Sequence, residues 1–91
     1  MTKRFKNVFD AIADTPQEAL NLKLRAQLMN EIIDNINHQQ WTQKDAAKYL
    51  NVTQPRISDL LRGKISLFSL DLLVNMLASL GNDVELKIKV A

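Results

Sequence analysis

The side chains with chemistry to offer are concentrated between Trp41 and Lys64, and most suit hydrogen bonding or pairing with anions. Thr42, Thr53 and Ser58 supply hydroxyls, and Gln43 and Gln54 supply amides. Lys44, Lys48, Arg56, Arg62 and Lys64 stand against Asp45 and Asp59, a local net charge of +3. Lys3, Arg4 and Lys6 make a second basic segment at the start of the chain. Between these segments the sign reverses, with Asp10, Asp14, Glu18, Glu31 and Asp34 outnumbering Lys23 and Arg25. The overall charge of +2 therefore conceals a segregation. A polyanionic partner favours such segregation, although solvated helix faces carry similar patterns.

Bond-making chemistry is poorly served. The chain has no cysteine, which excludes a disulfide framework, a thiolate metal site and a thiol nucleophile, and fits a reducing compartment. His38 is the sole histidine and has no second ligand in view, so it reads as a solvated residue near a helix end. Ser58 has no candidate base, and Glu18, Glu31 and Asp34 are spread along one predicted helix rather than paired. With glycine only at 63 and 81 there is no phosphate-cradling loop. No enzyme, cofactor or metal is expected. No apolar run approaches the roughly 20 residues of a membrane span. Met1 to Lys6 lacks the apolar stretch of a secretory signal, so a soluble cytoplasmic protein with no membrane partner is expected.

The elements that must position these residues are readable from caps and periodicity. Ninety-one residues form one domain, 1–91, of which a lone copy buries only about 60–65% of its unfolded surface. Thr15-Pro16-Gln17-Glu18 has the form of a capping box with proline in the first turn. Beyond it, Ala19, Leu20, Leu22, Ala26, Leu28, Met29, Ile32, Ile33 and Ile36 recur at helical spacing, predicting one long helix that ends near residues 38–40. Thr42 opens a second helix with Asp45 three residues on, and Ala46, Ala47 and Leu50 form its inner face. After a break at Asn51-Val52, Thr53 caps a third helix with Pro55 in its first turn, Ile57, Leu60 and Leu61 along it, and Gly63 as its stop. Ser69 caps a fourth, with Leu72, Leu73, Met76, Leu77 and Leu80 inside and Gly81 as the stop. Trp41, Tyr49, Phe9 and Phe68 are assigned to packing, and residues 1–14 to a basic arm and a short helix around Val8–Ile12 capped by Asn7.

The period changes at the end of the chain. From Asp83 to Val90 charged and apolar residues alternate, predicting a strand with Val84, Leu86, Ile88 and Val90 on one face. A strand needs a partner for its backbone groups. Two are open: the same strand of a second copy about a two-fold axis, which we favour, or the segment Lys3 to Val8.

The run Trp41 to Lys64, WTQKDAAKYLNVTQPRISDLLRGK, resembles the helix-turn-helix of the Cro-type (XRE) repressors. The matching positions are Thr42-Gln43, the small Ala47 where the two helices cross, Leu50 and Val52 about the turn, Thr53-Gln54, Ile57-Ser58 and Arg62-Gly63. The resemblance implies a mainly α, lambda-repressor-like bundle of four to five helices with the helix-turn-helix over 42–62; joined to the caps, periodicity and alternation above, it gives a helical core over 15–81 and a dimerisation strand over 83–90. It implies double-stranded DNA as partner, with a homodimer on an inverted repeat. By the same resemblance Gln54 reads a base edge, Gln43 contacts phosphate and braces Gln54, and Arg56 and Ser58 face the major groove. Asp59 would accept from a cytosine amine or hold Arg56, while Thr42, Thr53, Arg62 and Lys64 contact phosphates. Pro55 departs from the small polar residue common at its position and has only a thymine methyl to touch. The phrases at 21–26, 53–60 and 63–71 further resemble small proteins related to HigA-type antitoxins, which often bind a RelE-like ribonuclease toxin. Repressor, antitoxin and a scaffold without DNA binding thus remain the three functional classes.

Overall fold

A computed structural model describes residues 14–90. The expected arm and short helix lie outside these residues, save Asp14. Among the described residues are four α-helices and one short 3-10 turn: α1 (Pro16–Gln39), α2 (Gln43–Leu50), α3 (Gln54–Leu61), the 3-10 turn (Ile65–Leu67) and α4 (Leu70–Ser79).

Each α-helix starts as its sequence dictates. The hydroxyl oxygens of Thr15, Thr42, Thr53 and Ser69 accept from the backbone N–H three residues on, at Glu18, Asp45, Arg56 and Leu72. Such caps each contribute about 1 kcal/mol. The helices also end alike. Gln40, Asn51, Gly63 and Gly81 all take positive φ, and each allows two crossed backbone bonds that satisfy the last carbonyls. At the end of α3 these bonds run from Gly63 N to Leu60 O and from Lys64 N to Asp59 O, at 3.0 and 3.1 Å. A Cβ on Gly63 would meet nothing within 4 Å, yet φ there is 72°. Gly63→Ala should therefore cost only the backbone strain, about 1–2 kcal/mol in thermal unfolding. A much larger loss would mean that a steric clash operates there as well.

The long helix α1 packs along α4, and α2 and α3 pack on each other and on this pair. The core joins Met29, Ile32 and Ile36 of α1, Ala46 and Leu50 of α2, Ile57 and Leu60 of α3, Phe68, and Leu73, Met76 and Leu77 of α4. Ala46 is sealed completely, and Ala47 packs half-buried beside it. Leu20 corrects the expected stripe. It is 58% exposed, and in the first turns of α1 only Leu22 is buried.

The strand expected over 83–90 is not formed within the chain. Those residues carry no secondary structure, and no strand occurs among the described residues. Val84, Leu86, Ile88 and Val90 are all exposed, Leu86 and Ile88 by 85% and 88%. Backbone groups of a strand need a second strand, and none lies among the described residues; the alternative partner, Lys3 to Val8, lies outside them.

Candidate nucleic-acid interface

Two helices of eight residues, joined by Asn51-Val52-Thr53, carry the candidate site. The joint is shaped by Asn51, whose φ of 57° lets Val52 N donate to Ala47 O at 3.1 Å. Val52 then folds back onto the core. This geometry ends α2 and starts α3 within three residues. It leaves the N-terminal half of α3 on the outside of the protein.

Ile57 and Leu60 anchor α3 with no exposure, which fixes the rest of its surface. Gln54, Ser58 and Arg62 form one row at four-residue spacing, with Gln54 and Arg62 exposed and Ser58 half-buried. Pro55 and Asp59 form the adjacent row. Gln43, at the start of α2, is exposed, and neither Gln43 nor Gln54 is engaged by another described side chain. The bracing of Gln54 by Gln43 that the resemblance implied is thus not made here. Thr42 and Thr53 use their oxygens as helix caps, which leaves each hydroxyl hydrogen free to donate outward. Lys64 pairs with Asp59 at 3.5 Å, a partly exposed pair of little energetic weight.

Arg56 has a different environment from its neighbours. Its guanidinium donates to the Leu67 carbonyl at 3.0 Å and lies over the Phe68 ring, 5.5 Å from the centroid. Asp59 does not hold it; Asp59 holds Lys64. Arg25 of α1 also donates to this connector, to the carbonyls of Ile65 and Phe68 at 3.2 and 3.4 Å. Two arginines thus grip the connector that ties α3 to α4. Arg56→Ala should destabilise the fold by about 1–2 kcal/mol in urea unfolding, the usual range for one charge-assisted bond plus one cation–π interaction. A variant as stable as the parent would mean the grip contributes nothing.

Sequence reasoning gave Arg25 no role, although a signal existed. It stands on the buried stripe between Leu22 and Met29, where an apolar residue would ordinarily sit. Trp41 packs against the core as anticipated, and its ring stacks on Tyr49 at 4.5 Å and 11°. Tyr49 is 54% exposed, more than its packing role suggested. Among the described residues no group of acids and histidine is placed to hold a metal, and no helix is long and apolar enough to cross a membrane.

A family model described as a helix-turn-helix domain matches residues 11–89, nearly the whole chain. The chain belongs to that helix-turn-helix family. Its class is that of DNA-binding regulators, and the short capped pair α2–α3 is the element that gives the family its name. A comparison with curated proteins gives no match.

Proposed function

We propose that the protein is a sequence-specific transcriptional repressor of the Cro-type (XRE) kind. It binds an inverted-repeat operator in the cytoplasm as a homodimer, by binding alone and without a catalytic step. The observation that carries this reading is the outer row of α3: an uncovered amide at Gln54, a hydroxyl at Ser58 and a cation at Arg62, mounted on a helix whose other face is anchored in the core. Amides and guanidinium groups are the donors that read base edges and phosphates. Thr42, Thr53 and Lys64 flank the row and would hold phosphates, with Gln43 beside them. Asp59 would select against phosphate-rich approach on its own side and favour a cytosine amine. Two copies of α3 would enter successive major grooves about 34 Å apart, one turn of duplex.

Selection of duplexes from a random pool, followed by binding stoichiometry and salt dependence, tests the proposal. It expects an enriched palindrome bound by two chains, with affinity falling steeply as salt rises. No enrichment, or binding indifferent to salt, would overturn it.

A second reading is the antitoxin one, in which the same chain also neutralises a RelE-like ribonuclease and represses its own operon. Leu20 and Leu24, exposed one turn apart on α1, favour it, since a protein partner could cover them. Co-expression with the product of the adjacent gene separates the two: rescue of growth from a toxic neighbour supports the antitoxin, and a harmless neighbour removes it.

A further inference from the structure

The exposed tail carries a charge order complementary to itself, and we infer from it the register of the dimer. This deepens the homodimer reading above and rests on it. Along the polar face of 83–90 the order is Asp83, Glu85, Lys87, Lys89: two acids, then two bases. A second copy running parallel would set like charge against like. Run antiparallel, the order inverts, and each acid meets a base.

Side chains directly opposite across an antiparallel pair lie on the same face, so a slip of one residue would set apolar against charged positions. Only slips of two preserve the faces. Centring the two-fold axis on Leu86 places Glu85 opposite the partner's Lys87 and Asp83 opposite the partner's Lys89, with both pairs repeated by symmetry. On the other face Val84 meets the partner's Ile88, and Leu86 meets the partner's Leu86. Centring on Lys87 would press two lysines together on the axis, and centring on Glu85 would press two glutamates together. Like charges directly opposite destabilise a sheet. The Leu86-centred register alone has complementary charge and continuous apolar packing. It also sets the tail's exposed apolar residues, Leu86 and Ile88 foremost, side by side on one face of the ribbon.

The absence of native cysteine allows a clean test on the full chain. Directly opposed Cα atoms lie about 4.5–5.5 Å apart, within disulfide reach, whereas diagonal ones lie about 7–8 Å apart, beyond it. Under mild oxidation Leu86→Cys should form a covalent dimer at least tenfold faster than Glu85→Cys or Lys87→Cys. Equal rates at all three sites, or a fastest rate at 85 or 87, would overturn the register.

A charge exchange gives an independent readout. Glu85→Lys alone and Lys87→Glu alone should each weaken self-association in sedimentation by about tenfold or more. Mixed, they should form a heterodimer, because each then supplies what the other lacks; this also shows that both variants fold. Failure of the mixture to associate would overturn the inference. A parent chain that binds its selected duplex but stays monomeric, the tail held by its own N-terminal segment or another protein, would sink this inference alone. A parent that dimerises but selects no duplex would sink the repressor reading alone.

Discussion

Phe68→Ala should lower the stability of the protein by about 3–5 kcal/mol, the usual cost of emptying a sealed aromatic site. Phe68 has no exposed surface and is the largest of the fully buried side chains. The ring also serves as the platform for Arg56, and its carbonyl accepts from Arg25, so truncation leaves one cation without its face. A chain of this length has about 5–14 kcal/mol of stability in total. The substitution therefore removes about a fifth or more of it, and the midpoint should fall by at least about 12 °C. Phe68→Leu, which keeps most of the apolar packing, should be much less damaging. An alanine variant melting within a few degrees of the parent would place the connector outside the cooperative core. The consequence reaches function, because the connector fixes where α3 stands. A loosened connector leaves α3 anchored only by Ile57 and Leu60.

The contrast between α3 and its connector shows what local rules could and could not convey. The helix starts were legible because a hydroxyl cap acts within three residues of itself, and all four acted as read. The stops at Gly63 and Gly81 were legible because glycine alone enters the left-handed region without strain. The grip of Arg25 and Arg56 on the connector was not legible in this way. Arg25 reaches carbonyls 40 and 43 residues ahead, and no rule of spacing relates positions so far apart. Only its place on a buried stripe hinted that its charge was employed inward. The tail failed differently. Its alternation was plain, but a strand is a property of two paired backbone segments, and no second segment lies among the described residues. The outward row of α3 was legible because burial of Ile57 and Leu60 leaves no other direction for Gln54 and Arg62.

That row yields the sharpest functional expectation. Gln54→Ala should weaken binding to the selected operator by about 1–3 kcal/mol per half-site, some 5- to 150-fold, and relax preference at one base pair in each half. The slope of affinity against salt should stay as it was, because an amide on a base edge releases no counterion. Arg62→Ala should behave in the opposite way. It should weaken selected and random duplexes alike, and flatten the slope by about 0.9 for each phosphate that is no longer neutralised. The two variants sit eight residues apart, one at the first residue of α3 and one at its C-cap, and neither is buried. Stability therefore should not separate them, and any difference reports on what each side chain touches. Should Gln54→Ala flatten the salt slope and keep the base preference, the N-terminus of α3 lies on the backbone and the helix enters the groove by its other end. Should both variants bind every duplex like the parent, α3 is not the reading element, however exposed its outer row.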